Sequence, residues 1–130
     1  MVIDSSALLA ILSKESERDR LAAAIADDAA RLVSAAAVLE TAIVIESRYG
    51  LSGAMDFDLL LHTIQAQIEP VTEDQFRLGR LAYRKYGKGR HVAALNYGDC
   101  FSYALAKASG QPLLFKSSDF SQTDFFVVSY

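Results

Sequence analysis

One cysteine, two prolines, two histidines and no long apolar run set the first limits on this 130-residue chain. Cys100 has no second thiol to pair with, so an internal disulfide is excluded and a reducing cytoplasm is the simplest compartment. The same count removes zinc sites built from thiolates. The longest unbroken apolar run near the start is Ala7–Leu12, six residues, where a bilayer span needs about 20. Asp4 stands where a secretory leader would be basic, and no extended apolar segment follows, so a leader is not expected. Only Pro70 and Pro112 punctuate the chain, and no repeat, low-complexity tract or linker appears. One domain over residues 1–130 is therefore expected, and an apolar share of 52% with 22% charged residues excludes disorder.

What the chain does have is charge asymmetry. Thirteen Lys and Arg against 16 Asp and Glu give a net charge of −3. Residues 75–98 hold six of the basic side chains (Arg77, Arg80, Arg84, Lys85, Lys88, Arg90) and no acid, so the rest of the chain carries 7 − 16, or −9. A polyanion would feel that segment whatever the global balance, although a solvated helix face beside a basic loop has the same composition. Arg77, Arg80, Arg84 and Lys88 recur at spacings of three and four, which predicts one helical stripe.

The segments alternate. Val2-Ile3, Arg31–Ser34, Ile68–Val71, Leu113–Phe115 and Phe125–Val128 read as short strands. Between them, helical patterns cover Ser6–Leu12, about Glu15 to Asp27, Ala35–Tyr49, Gly53–Ala66, Thr72 to about Tyr86 and Asp99–Ser109. Gly50 and Gly110 read as stops, Ser52 as an N-cap, and Thr72 with Gln75 as a capping box. Short strands separated by helices predict an α/β domain with a parallel sheet and right-handed crossovers. In such sheets the ligand site lies beyond the carboxyl ends of the strands.

Acids stand at those ends. Asp4 directly follows the first strand, Asp99 opens a helix after Asn96-Tyr97-Gly98, and Asp119 follows Leu113-Leu114-Phe115 by four residues. Glu40 lies in an Ala-, Val- and Ile-rich helix, where a carboxylate needs a partner. Oxygen-only donors without histidine or cysteine suit Mg²⁺ or Mn²⁺, and that chemistry acts on phosphodiesters. Each acid also has a plainer reading. Asp4 and Asp99 fit helix caps, Asp119 a turn, and Glu40 a bridge to Arg48 or Arg31.

The opening Met1-Val2-Ile3-Asp4-Ser5-Ser6-Ala7-Leu8-Leu9-Ala10-Ile11-Leu12 and the stretch Leu95-Asn96-Tyr97-Gly98-Asp99-Cys100-Phe101-Ser102-Tyr103-Ala104-Leu105-Ala106 resemble PIN-domain ribonucleases of the VapC toxin family. The resemblance spans essentially the whole chain. It implies a three-layer α/β/α fold with a short-stranded, mainly parallel central sheet. It also implies a Mg²⁺-dependent endoribonuclease (Mn²⁺ substituting), a toxin of a type II toxin–antitoxin pair and a homodimer. An antitoxin segment, often bearing an arginine, would block the acidic pocket. By position, Asp4, Glu40, Asp99 and Asp119 become the catalytic acids, with Asp4, Asp99 and Asp119 on the metal. Ser5, Ser6 and Asn96 become supporting groups. Products with a 5′-phosphate and a 3′-hydroxyl are implied.

One departure stands out. The family often has Lys-Gly-x-Asp-Phe where this chain has Lys116-Ser117-Ser118-Asp119-Phe120, so Asp124 is a second candidate for the fourth acid. Arg77, Arg80, Arg84, Lys88 and Arg90 are the candidate RNA-backbone contacts, with Tyr83, Tyr86 and Tyr97 as candidate base platforms. His91 lies in the basic loop, whereas His62 and Cys100 read as packing or surface residues. Two other functions share parts of this pattern, a phospho-acceptor switch domain and an RNA-binding module with an eroded metal site. Asp56 and Asp58 fall in a helix, which leaves the first without an acceptor at a central strand end.

Overall fold

The computed structural model describes residues 1–116, 120–124 and 126–130. Its sheet holds four parallel strands in the order β3-β2-β1-β4, namely β1 (Val2–Ile3), β2 (Leu32–Ser34), β3 (Gln67–Glu69) and β4 (Leu113–Leu114). Five helices connect them: α1 (Ser5–Leu12), α2 (Arg18–Asp27), α3 (Ala35–Thr63), α4 (Glu73–Tyr86) and α5 (Tyr97–Ser109).

Alternation along the short strands splits the core in two. Ile3, Val33 and Leu114 pack with Leu8, Ile11, Leu21, Ile25 and Ile45 from α1, α2 and α3. Val2, Leu32 and Leu113 pack on the opposite face with Leu95, Tyr103, Leu105, Phe115 and Phe120, beside α4 and α5. Helices cover both faces, which makes the three layers. Each fully buried Leu or Ile contributes about 1.5–3 kcal/mol, so strands of two and three residues suffice as the middle layer.

Local chemistry explains where elements begin and end. Thr72 Oγ1 accepts the Gln75 amide at 3.2 Å and starts α4. Gly110 ends α5 at φ 67, a left-handed conformation that suits glycine. Gly50, at φ 63 and ψ −151, is non-helical and divides α3 into two helical halves, 35–49 and 51–63, as expected from the stop there. The second helix therefore starts without Ser52 as a separate cap and ends at Thr63. α2 begins at Arg18 and not near Glu15, because Lys14 takes φ 55 and the Glu15 amide bonds back to Ala10 O at 3.0 Å. The expected last strand appears among the described residues as one parallel bridge, Leu113 to Val127; Phe125 lies outside them. No helix among the described residues is long and apolar enough to cross a membrane.

Candidate active site

Asp4 is the residue that leaves β1 and enters α1. It is 2% exposed, and both oxygens accept hydrogen bonds: Oδ2 from the Ser6 amide at 2.9 Å, Oδ1 from the Ser102 hydroxyl at 2.6 Å. Its own amide bonds to Leu114 O at 2.9 Å, which ties it to the end of β4 as well. The capping role expected as the plainer reading is real, since Asp4 is the N-cap of α1. It coexists with burial at the sheet's carboxyl edge.

Asp99 also caps. Its Oδ2 accepts the Asn96 amide at 2.7 Å, and its own amide donates to Asn96 Oδ1 at 2.9 Å. This reciprocal pair fixes the first turn of α5 and holds Asp99 buried. Glu40 arrives from α3, and its carboxylate lies against Gly98 so closely that a Cβ there would push it aside. The first turns of α5 thus gather Glu40 at Gly98, Asp99 itself, and Asp4 at Ser102. Among the described residues, neither Asp4 nor Glu40 takes part in an ion pair. Arg31 is occupied by Ile25 O, Ala26 O and Ile64 O, and Arg48 reaches Ser13, so neither serves Glu40.

Ser5 is buried in the first turn of α1. Ser6 accepts the Lys116 amide at 3.0 Å and so links the ends of β1 and β4. The Lys116 ammonium pairs with Glu15 and, at 3.5 Å, with Glu17. Asp119 lies outside the described residues. Asp124, in the C-terminal segment, packs against a later stretch of α5. Its oxygens accept the Tyr103 hydroxyl at 2.9 Å and the Lys107 ammonium at 3.0 Å, four and eight residues past Asp99. Burial raises the Asp124 pKa, but those two donors outweigh it and hold the group below its ordinary value. Tyr103 is pushed well up, first by burial and then by Asp124. The Cys100 thiol, half-buried beside Asp99, is pushed up to about 11 by burial and by that charge.

A groove of about 860 Å³ runs between α4 and α5, with Arg80 and Lys88 beside Phe76, Tyr83, Tyr97 and Phe101. A smaller cavity of about 310 Å³ shares Tyr97 and Phe101 and reaches Glu40 and Gly98. Tyr97 and Phe101 meet edge-to-face at 4.9 Å and form the wall between the two. Arg90 lies over the Tyr83 ring at 5.9 Å. Of the expected helical stripe, Lys88 lies past the Gly87 cap that ends α4, Arg77 is engaged with Glu73 at 2.6 Å, and Arg84 is exposed.

The sequence profile of the PIN domain family matches residues 1–126. The chain belongs to the PIN-domain family. It is 60% identical over 124 residues to "Ribonuclease VapC" of Mycolicibacterium smegmatis, covering 95% of this chain and 96% of that one. It is 56% identical over 129 residues to "Ribonuclease VapC30" of Mycobacterium tuberculosis, covering 99% and 98%. Among solved structures, Mycobacterium tuberculosis VapC20, described as a sarcin-ricin loop cleaving toxin, superposes with a TM-score of 0.80 at 17% identity over 99% of this chain and 98% of that one. A toxin–antitoxin complex from Klebsiella pneumoniae gives 0.75 at 16% identity, covering 99% and 97%. These two likenesses show the PIN fold.

Within this PIN domain the donor set fits a hard divalent cation. All candidate donors are oxygens, and the carboxylates of Asp4 and Glu40 have no counter-charge among the described residues. Ser34 Oγ, fully buried at the carboxyl end of β2, has no hydrogen-bond partner among them. The Val2–Leu32 register continues two residues on to Asp4 and Ser34, so that orphan hydroxyl belongs to the same sheet edge. No set of three acid, histidine or cysteine side chains is already drawn together as a metal cage among the described residues. Ser102, Ser34 and Gly98 are the site residues that sequence reasoning did not weigh.

Proposed function

We propose that the chain is a Mg²⁺-dependent endoribonuclease, with Mn²⁺ able to substitute, that hydrolyses RNA phosphodiesters as the toxin of a type II toxin–antitoxin pair. One observation carries this reading: Asp4, buried to 2% exposure, and Glu40 lie around the start of α5 with Asp99, and neither has a cationic partner among the described residues. A buried carboxylate without a counter-charge is costly and favours a cation beside it. Relatives at 60% and 56% identity over nearly the whole chain are named ribonucleases, which supports the activity.

Asp4, Asp99 and Asp119 would hold the cation, which supplies Lewis acidity at the phosphoryl oxygens and a lowered water pKa. Glu40 would orient the attacking water and take its proton. Ser5, Ser6 and Asn96 support the acids, Asn96 by fixing Asp99 and Ser6 by fixing the end of β4. Arg80, Arg84, Lys88 and Arg90 would hold the RNA backbone, and Arg77 contributes less because Glu73 shares its charge. The reading entails cleavage that leaves a 5′-phosphate and a 3′-hydroxyl.

A cognate antitoxin would neutralise the acids, and an arginine does this bidentately. The Klebsiella pneumoniae neighbour is a toxin–antitoxin complex, which supports a partner of that kind. A homodimer has surface available in Leu39, Ile43, Phe76 and Tyr97, all more than half exposed. The reducing cytoplasm expected from the single cysteine suits all of these roles.

The test is cleavage of a mixed structured-RNA pool by purified protein with Mg²⁺, with Mn²⁺ and with EDTA, beside an Asp4→Asn, Asp99→Asn double variant. Cleavage that requires both the cation and the two aspartates is expected. Equal cleavage by the double variant, or in EDTA, contradicts the reading.

A further inference from the structure

Three hydroxyl side chains inside the described helices turn back on their own backbone. Thr41 donates to Ala37 O at 2.8 Å, Ser47 to Ile43 O at 2.6 Å and Ser109 to Leu105 O at 2.7 Å, each four residues back. Ser102 does otherwise. It is fully buried in α5, and its hydroxyl donates to Asp4 Oδ1 at 2.6 Å, across 98 residues of sequence. A serine has one proton to give, and an ionised carboxylate only accepts, so the direction of this bond is fixed.

The bond connects two of the candidate acids through the scaffold. Asp4 leaves β1, whereas Ser102 lies three residues past Asp99 on α5, just under one turn. With Oδ2 accepting the Ser6 amide at 2.9 Å, both oxygens of Asp4 are fixed by neutral donors. Neutral donors set the rotamer of a carboxylate and leave its negative charge in place. A lysine or arginine in that position would cancel the charge. An apolar residue there would leave a buried oxygen without its bond.

We propose that Ser102 is a positioning residue for Asp4, holding its carboxylate in a set orientation relative to Asp99 so that the two take a divalent cation together. This role rests on the metal-site reading given above. Partners that orient a ligand in this way typically affect metal affinity by 10–100-fold.

Calorimetric Mn²⁺ titration of the intact protein tests it, with wild type, Ser102→Ala, Ser102→Thr and Asp4→Asn, each melted separately in EDTA. Ser102→Ala is expected to stay folded with a lower melting temperature, because Asp4 Oδ1 loses its donor, and to bind Mn²⁺ about 10–100-fold more weakly. Ser102→Thr, which restores a hydroxyl, is expected to recover most of that loss, and Asp4→Asn to lose binding. Should the alanine variant fail to fold, Ser102→Cys keeps a similar volume with a far weaker donor and is expected to show the same loss. Wild-type affinity in Ser102→Ala or Ser102→Cys, with binding lost in Asp4→Asn, overturns the positioning role and leaves the metal site standing. Absence of Mn²⁺ binding in the wild type overturns both.

Discussion

Gly98 and Glu40 are in contact, and a side chain at Gly98 would displace the carboxylate: a Cβ there would lie 2.6 Å from Glu40 Oε1 and 2.7 Å from Oε2. Gly98 takes no left-handed conformation, so the need for glycine here is purely one of space. Gly98→Ala should therefore separate stability from function. Alanine is the better helix former by up to about 1 kcal/mol, and a glutamate end can swing aside. Thermal melting is expected to stay level or rise, while RNA cleavage falls tenfold or more. Wild-type cleavage by Gly98→Ala would show that the place of Glu40 does not matter.

Asp4→Asn gives a second such separation. The change keeps the shape of a side chain that is 2% exposed and removes an uncompensated buried charge. In EDTA the variant is expected to melt at or above the wild-type temperature, and to cleave no RNA. A clear loss of stability would mean that the carboxylate is mainly a structural cap.

Much of this site is legible in the sequence, because caps and strand ends are local features. Asp4 and Asp99 follow directly from short apolar strands and helix starts. The capping reading is compatible with an acid site, since Asp4 is the N-cap of α1 and the Asn96 cap of α5 holds Asp99 in its first turn. The stop at Gly50 was legible and the backbone breaks there, although both halves pack into the same core through Ala37, Ile45 and Phe57. Ser102 and Ser34 were not legible, since their partners or neighbours lie on other elements and are set by strand register and helix packing. The C-terminal stretch read as a full strand forms one bridge at Val127 among the described residues, and its β-branched composition does not reveal pairing length.

Acid should unfold the protein partly through two carboxylates. Asp28 is held below its ordinary value of 3.8, first by the Ala30 amide, then against a burial cost by the N-terminal ammonium and Arg31. Asp124 is lowered by Lys107 and Tyr103 against its burial. A carboxylate with a depressed folded pKa stabilises fully above its unfolded value and loses that stabilisation as pH falls through the folded one. Urea unfolding is therefore expected to show stability falling from about pH 4 downward. Asp124→Asn should flatten part of the slope. Each group is partly exposed, so the expected effect is below about 1 kcal/mol. An unchanged slope in Asp124→Asn would contradict this assignment.

Cys100 should be slow to alkylate. With its pKa pushed up from 9.0 to about 11, first by burial and second by Asp99, its thiolate fraction at neutral pH is about a hundredth of that of an ordinary cysteine. Iodoacetamide labelling at pH 8 is expected to lag far behind a free cysteine, and Asp99→Asn to quicken it. Rapid labelling of the wild type would contradict the burial of this thiol.

RNA affinity should depend on salt through the α4 face. Replacing Arg80, Arg84 or Lys88 with alanine is expected to weaken binding at every sequence and to lower the salt slope by about 0.7 for each phosphate no longer neutralised. Arg77→Ala should do less, because Glu73 pairs with Arg77 at 2.6 Å. Equal effects at Arg77 and Arg80, read by titration across ionic strengths, would count against the groove as the RNA track.

Anomalous diffraction from crystals grown with Mn²⁺ tests the central claim most directly. The expected result is a manganese peak bonded at about 2 Å to oxygens of Asp4 and Asp99, beside Glu40 and the start of α5, and missing in Asp4→Asn crystals. A saturated crystal with no peak between those two aspartates, or one unchanged in Asp4→Asn, would contradict it.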